Sequence, residues 1–250
     1  ALMFSAAFAT EAERILIIEP SRFLRSQTKT KLEKLSVFKK LGFLDSDVSE
    51  PEVKELETER NDIDDWEELE QFDAVVACPQ TTSPKMQNVS APPDDLFDLI
   101  LIDEAHHAAA KTWRGIINSL SDAKRVLFTA TPFRRDRRKL PGRLVYHYPI
   151  GKALSDEIYR PLEYTPIQRE DPETVDDRIA EAASKKIKEE MTENPNAALL
   201  IRTDRIAKCN DLSATYREFG IDAKIINSDE NEDNIKERLN GLRDGNVDAA

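Results

Sequence analysis

Residues 97–107 read Phe-Asp-Leu-Ile-Leu-Ile-Asp-Glu-Ala-His-His, and residues 129–132 read Thr-Ala-Thr-Pro. An apolar run that ends in two adjacent carboxylates is typical of a buried parallel strand whose carboxyl end faces a phosphate-binding crevice. There, Asp103 would lie near a magnesium ion and Glu104 near the water that attacks a terminal phosphate. An Asp-Glu pair can also simply cap the next helix. The Thr-Ala-Thr-Pro sequence at the following strand end favours the phosphate site.

Apolar runs alternate with helical patterns before residue 150, and this alternation predicts an α/β fold with a parallel sheet and right-handed crossovers. We predict strands at residues 14–20, 72–79, 96–102, 124–129 and 144–148. We predict helices at residues 1–10, 24–41 and 108–120, with Gly42 ending the second of them.

Prolines concentrate in residues 141–172, and the alternating pattern then restarts. We predict helices at residues 174–191, 206–219 and 231–242 and strands at residues 197–202, 222–227 and 247–250. The sequence therefore predicts a first lobe over residues 1–150, a connector over residues 151–173 and a second lobe over residues 174–250.

The net charge of −12 is concentrated in one acidic segment, residues 45–70. It holds 13 of the 48 acidic residues and only two of the 36 basic ones, so the rest of the chain is close to neutral. We predict a surface insertion or a solvated helix here, with a regulatory or partner-binding role as the alternative. An acidic chain with this distribution can still bind nucleic acid.

Composition disfavours several classes of protein. No apolar run is long enough to span a bilayer, so we expect no membrane partner. Residues 1–9 are apolar but lack the basic start of a signal peptide. The two cysteines, Cys78 and Cys209, are far apart, which favours a reducing compartment and a cytoplasmic location. The seven glycines form no Gly-x-x-x-x-Gly-Lys-[Ser/Thr] loop.

The two strand-end motifs together resemble those of the superfamily 2 helicases and translocases, most of all the branch of the type I and type III restriction ATPase subunits. Asp103-Glu104-Ala105-His106 would be their DEAH box. The resemblance implies two RecA-like parallel-sheet lobes of the P-loop NTPase superfamily that use ATP and Mg²⁺. It also implies a longer parent protein with a P-loop before residue 1 and the last motifs after residue 250. The chain alone is then expected to lack ATPase activity.

The resemblance gives each residue of the DEAH box a role at the nucleotide. Asp103 would hold Mg²⁺, commonly through water, and Glu104 would deprotonate the hydrolytic water. His106 would contact the segment that links hydrolysis to nucleic-acid binding, with a structural core histidine as the alternative; His107 is expected to be structural. A zinc site on these residues is disfavoured because no distant ligand cluster is apparent. Thr129 and Thr131 would relay the nucleotide state, with a plain strand-end turn as the alternative.

Nucleic-acid contacts are assigned to strand ends, where backbone amides and hydroxyls bind phosphates without reading bases. The first-lobe residues are Pro20, Ser21, Arg22, Thr81 and Thr82, and the second-lobe residues are Arg202 and Thr203. Arg134 and Arg135 belong to the one dense basic run, residues 133–139, which is either a phosphate-binding segment or a solvated loop.

The function that the resemblance implies is the central part of an ATP-dependent DNA helicase or translocase motor. DNA is favoured over RNA by analogy with DNA-directed relatives. A nuclease or a methyltransferase is a candidate partner in the parent system. A DEAH-type RNA helicase and a degenerate, non-catalytic nucleic-acid-binding module are the alternatives.

Overall fold

The structure is a computed structural model that describes residues 11–107, 111–131, 140, 142–159, 161–167, 175–195, 197–227 and 230–243. The chain forms two compact units, Ala1–Val145 and Tyr146–Ala250. The separate connector over residues 151–173 stays a prediction. The predicted helix at residues 1–10, the basic run at residues 133–139 and the predicted strand at residues 247–250 lie outside the described residues.

The first unit is built on a five-stranded sheet in the order β2-β3-β1-β4-β5, in which all neighbouring strands are parallel. The strands are β1 (Ile15–Ile18), β2 (Val53–Leu56), β3 (Ala74–Ala77), β4 (Leu99–Ile102) and β5 (Lys124–Leu127). Strands β3 and β4 are buried at every residue. Continuous apolar runs suit such strands because both faces of a parallel sheet are covered. The predicted α/β class with a parallel sheet is confirmed.

Five helices and two 3₁₀ segments connect these strands in the described part of the first unit. The helices are α1 (Arg22–Glu33), α2 (Ser36–Lys40), α3 (Ile63–Glu67), α4 (Pro79–Thr82) and α5 (Lys111–Ser119). The 3₁₀ segments are Glu68–Gln71 and Ala105–His107.

The helix predicted at residues 24–41 is two helices, because Leu35 has a left-handed φ of 46° and breaks the hydrogen-bonded turn between α1 and α2. Gly42 ends α2 as predicted, with a φ of 71°. The N–H of Phe43 donates to the carbonyl of Phe38 at 3.0 Å, the bond that a left-handed glycine permits at a helix end.

The acidic segment is not the surface feature that its charge predicts. It contributes the edge strand β2 and helix α3, and its apolar side chains Leu56, Trp66 and Leu69 are buried in the larger core of the first unit. The prediction is wrong because these apolar residues are spaced so that one face packs inward while the carboxylates between them face solvent. Charge density describes only the outer face of this segment.

The second unit contains α6 (Ile150–Ser155), α7 (Val175–Glu193), α8 (Ile206–Glu218) and α9 (Glu232–Arg243). Its core cluster consists of Ala180, Ile187, Tyr216, Ile221 and Ala223. Within the part of the chain that the structure describes, no helix combines the length and the apolar character that crossing a membrane requires.

Three predicted strands do not form ladders in the described residues. Residues 144–148 have no strand structure, and the predicted strands at residues 197–202 and 222–227 contain only isolated bridge residues, Leu199 and Ala223. Leu200 is 76% exposed. An apolar run becomes a strand only where a neighbour satisfies its backbone groups along its length, and these runs have no such neighbour among the described residues.

Candidate functional site at the carboxyl edge of the sheet

The segments that follow β1, β3, β4 and β5 meet at one edge of the first unit, because parallel strands end at the same side of a sheet. Backbone hydrogen bonds extend the ladder past the strand ends. The N–H of Asp103 donates to the carbonyl of Ile18 at 3.0 Å, and that of Phe128 donates to the carbonyl of Ile102 at 2.8 Å. The sheet therefore fixes where the polar residues begin.

Asp103 and Glu104 lie in a sharp turn directly after β4. Glu104 has a φ of 46°, a left-handed conformation that costs roughly 1–2 kcal/mol for a residue with a side chain. Its N–H donates to Oδ1 of Asp103 at 2.9 Å, and both side chains are half-buried. Strained backbone of this kind persists where the surrounding structure holds it, and it clusters at functional sites.

The residues after Glu104 tie this turn to the end of β5. Ala105 is fully buried, and its N–H donates to the carbonyl of Phe128 at 2.8 Å. Nδ1 of His106 lies 3.1 Å from Oε2 of Glu104, with both side chains partly exposed. His106 thus contacts the predicted base directly, whereas the His107 side chain lies outside the described residues.

The predicted relay residues form a turn at the end of β5. The N–H of Thr131 donates to Oγ1 of Thr129 at 3.1 Å. The bond between this segment and the carboxylate turn is made by the backbone of Phe128, the residue just before Thr129. The relay role of the two threonines stays a prediction, and the geometry supplies the contact through which it would act.

The first predicted nucleic-acid motif follows β1. Ser21 caps α1, with its Oγ accepting from the N–H of Leu24 at 3.3 Å. Arg22, the first residue of α1, is exposed, and Pro20 is half-buried. Ser21 and Arg22 are therefore accessible at the same edge as Asp103.

The second predicted motif follows β3 and is less accessible. Thr81 and Thr82 are buried, and both hydroxyls donate to the carbonyl of Cys78 at 3.0 Å. A phosphate contact here would have to use other groups of this segment. Pro20 and Gln80 line a common cavity of about 310 Å³, which brings the two motifs together.

The second-lobe residues Arg202 and Thr203 belong to the second unit, where Arg202 is exposed and Thr203 is half-buried. Arg134 and Arg135 lie outside the described residues. The predicted site residues that follow β1, β3, β4 and β5 therefore lie at one edge of the sheet in the first unit.

A carboxylate that the sequence analysis missed lies beside Asp103. Strands β1 and β4 pair in register, with Ile18 opposite Ile102, so Glu19 and Asp103 are the next neighbours across the ladder. Glu19 is 1% exposed. Its Oε1 accepts from the hydroxyl of Thr28 at 2.7 Å, and its Oε2 has no hydrogen-bond partner in the part of the chain that the structure describes. The sequence signal for Glu19 is the similarity of residues 15–19, Ile-Leu-Ile-Ile-Glu, to residues 99–103, Leu-Ile-Leu-Ile-Asp.

Burial raises the pKa of Glu19 above its ordinary value. The hydrogen bond from Thr28 opposes this rise, and the nearby charge of Asp103 adds to it. The pair of facing carboxylates is therefore an electrostatically costly arrangement that a positive charge would relieve.

The sheet edge that carries Asp103 fits a magnesium ion bound jointly by a carboxylate and by substrate phosphates. The residues that the structure describes contain no group of three or more His, Cys, Asp or Glu side chains able to hold a metal by themselves. Mg²⁺ does not need such a cage, because one or two carboxylates, several waters and substrate phosphates complete its shell. Asp103, half-buried at the sheet edge, offers the hard oxygen ligands that this arrangement requires.

Comparison with known proteins gives a family match over the first unit. The family described as "Type III restriction enzyme, res subunit" matches residues 1–134. The Saccharomyces cerevisiae protein named "Putative ATP-dependent helicase IRC3" is 30% identical over 112 residues, which cover 41% of this chain and 16% of the relative. The chain thus spans less than a fifth of that relative's length.

Two solved structures align along nearly the whole chain. "S. cerevisiae Dbp5 bound to RNA and ADP BeF3" is 12% identical with a TM-score of 0.49, covering 95% of this chain and 56% of that chain. "Crystal structure of Pyrococcus furiosus Hef helicase domain" is 12% identical with a TM-score of 0.35, covering 99% of this chain and 78% of that chain.

Proposed function

We propose that this chain, which belongs to the type III restriction res-subunit family of superfamily 2 helicases, supplies the hydrolysis and coupling centre of an ATP-dependent DNA helicase or translocase. The observation that carries the proposal is the bond from Ala105 to Phe128 at 2.8 Å. It joins the Asp103-Glu104 turn to the strand end that leads into Thr129 and Thr131. A carboxylate pair and a relay segment in contact are what a nucleotide-driven motor needs.

Glu104 is proposed as the general base. Its carboxylate would accept a proton from a water while that water's oxygen attacks the terminal phosphorus and the bond to the leaving ADP oxygen breaks. Oε2 of this carboxylate lies 3.1 Å from Nδ1 of His106, its neighbour in the same turn. The left-handed turn at Glu104 fixes the backbone from which it acts.

Asp103 is proposed to hold Mg²⁺, which supplies charge neutralisation for the nucleotide phosphates when it is bound. The hydrogen bond from the Glu104 N–H to Oδ1, at 2.9 Å, orients the Asp103 carboxylate. The backbone of Glu104 orients the Asp103 carboxylate through this hydrogen bond, so the two proposed roles depend on the same turn.

Coupling is proposed to run through the end of β5. A change at the Asp103-Glu104 turn would pull on Phe128 through Ala105 and would displace the Thr129–Thr131 turn. Ser21 and Arg22, accessible at the same edge, are proposed to contact nucleic-acid phosphates. Arg202 and Thr203 are proposed as phosphate contacts of the second unit, taken by itself. Such contacts are independent of base sequence.

The test uses a longer protein that contains this chain together with a P-loop, called the parent here. Glu104→Gln is expected to bind ATP with wild-type affinity but to hydrolyse it slower by a factor on the order of 10²–10⁴, the usual contribution of a positioned base. Glu70→Gln, an exposed glutamate of the acidic segment, is the matched control and should keep wild-type turnover. Full turnover in Glu104→Gln would remove Glu104 as the base.

The nucleic acid is identified in the same assay. Single-stranded DNA, duplex DNA and RNA of equal length are added in turn, and we expect DNA to stimulate ATP hydrolysis more than RNA. Stronger stimulation by RNA would favour the RNA-helicase alternative. A wild-type parent that binds nucleic acid but hydrolyses no ATP would favour the non-catalytic module.

A further inference from the structure

Glu19 occupies a position between two parts of the proposed motor. It directly follows β1 and precedes the Pro20-Ser21-Arg22 segment, and it is the next neighbour of Asp103 beyond the paired residues Ile18 and Ile102. Glu19 is 1% exposed and its Oε2 has no hydrogen-bond partner among the residues that the structure describes, so its burial is costly. Its neighbour Thr28 belongs to helix α1, which begins at the proposed nucleic-acid contacts. Its neighbour Asp103 belongs to the proposed nucleotide site.

The first contact leads to helix α1. The Thr28 hydroxyl donates to Oε1 of Glu19 at 2.7 Å. Thr28 lies on the same helix whose first residue is Arg22 and whose cap is Ser21. A helix moves as a rigid element, so a phosphate that repositions the start of α1 also changes the distance between Thr28 and Glu19.

The second contact leads to the nucleotide. Odd-numbered residues of β1 and β4 share one face, since Ile17 and Leu101 pack in the same cluster, and Glu19 and Asp103 continue that face. Two like charges on neighbouring strands repel, and a cation held by Asp103 reduces the repulsion. A cation bound at Asp103 would therefore change the electrostatic force on Glu19 and, through the hydrogen bond from Thr28, on helix α1.

We infer that Glu19 is a positioning residue that links Asp103 to helix α1 through Thr28, so that nucleic-acid binding at the start of α1 and magnesium-nucleotide binding at Asp103 strengthen each other. The inference rests on the proposed function. Coupling of this kind is reciprocal, because each ligand changes the affinity of the other by the same factor.

The experiment measures that factor in the parent protein without relying on turnover. The dissociation constant of a labelled single-stranded oligonucleotide is determined with and without Mg²⁺ and a non-hydrolysable ATP analogue, and the ratio is the coupling factor. Thr28→Val removes the hydroxyl while keeping the shape of the side chain, and we expect it to reduce the coupling factor at least about threefold, within the usual range of coupling. Thr28→Ser keeps a hydroxyl and should restore it.

Thr30→Val is the matched control. Thr30 lies on the same helix, is exposed, and donates its hydroxyl only to the carbonyl of Ser26, at 3.0 Å. Its coupling factor should equal that of the wild type. Equal reductions in both variants would assign the effect to the helix itself and would overturn the role of Glu19.

Glu19→Gln provides a second variant if Thr28→Val is poorly folded. Its amide oxygen can still accept from Thr28, while its amide nitrogen gives Asp103 a donor in place of a charge, so the response to Mg²⁺ is expected to fall. A wild-type factor in both Glu19→Gln and folded Thr28→Val would overturn the inference. If nucleic acid does not stimulate ATP hydrolysis by the wild-type parent, the proposed function is refuted, and the inference that rests on it is refuted too.

Discussion

Similar apolar sequences form a paired, buried strand in the first unit and only an isolated bridge in the second unit. In the first unit, Leu-Ile-Leu-Ile at β4 pairs on both sides and is buried at every residue. In the second unit, Ala-Ala-Leu-Leu-Ile at residues 197–201 has one isolated bridge residue, and Leu200 is 76% exposed. Neighbouring strands, rather than apolar composition, convert such a run into a ladder. The proposed catalytic residues sit on the unit where that conversion is complete.

The largest effect is expected from removing part of the sheet. The charge pattern predicts that deleting residues 46–69 leaves the fold intact, whereas the structure places β2 and the buried Trp66 in that segment. The deletion exposes the edge of β3, so we expect loss of the cooperative unfolding transition of the first unit, measured by circular dichroism during heating. A transition at the wild-type temperature would restore the view of an appended segment.

A single substitution tests the same segment more gently. Trp66 is 0% exposed and its Nε1–H donates to Oγ of Ser90 at 2.9 Å. Trp66→Ala should lower the free energy of unfolding by about 3–5 kcal/mol in urea titrations, because it leaves a large cavity. Ile63→Ala on the same helix α3, where Ile63 is 52% exposed, should change it by less than about 1 kcal/mol. Similar values for the two variants would contradict the packing of α3.

The second unit has its own core test. Ile187, 6% exposed, belongs to the core cluster of that unit, whereas Ile179 on the same helix α7 is 40% exposed. We expect Ile187→Ala to lower the free energy of unfolding by about 2 kcal/mol, near the small end of such substitutions, because the cluster is small. Ile179→Ala should change it by less than about 1 kcal/mol. Equal effects would mean that α7 does not pack as a one-sided helix.

The smallest perturbation uses the two cysteines, one in each unit. Cys78 is buried at the end of β3, and burial raises its thiol pKa, with Arg25 opposing the rise. At pH 8 its thiolate fraction is therefore below that of an ordinary thiol. Cys209 on α8 is half-buried. We expect iodoacetamide to alkylate Cys209 at least about tenfold faster than Cys78, measured by mass spectrometry. Comparable rates in folded protein would contradict the burial of β3.

The sequence predicts well where a short apolar run is bounded by polar residues. The apolar runs predict β1, β3, β4 and β5 to within a few residues, and with them the edge that carries Asp103 and Glu104. Strand β2 escaped detection because Val53 and Leu56 are separated by charged residues inside the acidic segment. The sequence also does not predict which strands pair with each other or in which register. The register that places Glu19 beside Asp103 depends on which strands become neighbours, and periodicity along one run does not specify that.

Because Glu104 has a left-handed backbone conformation, selection for stability and selection for activity should favour different residues at this position. Glycine adopts a φ of 46° without the penalty that a side chain brings. A library randomised at residue 104 and sorted only for resistance to heat or protease should enrich glycine and asparagine. The same library sorted for nucleotide-driven movement in the parent should return glutamate. Disagreement between the two sorted pools at this one position would separate what the chain needs to fold from what it needs to work.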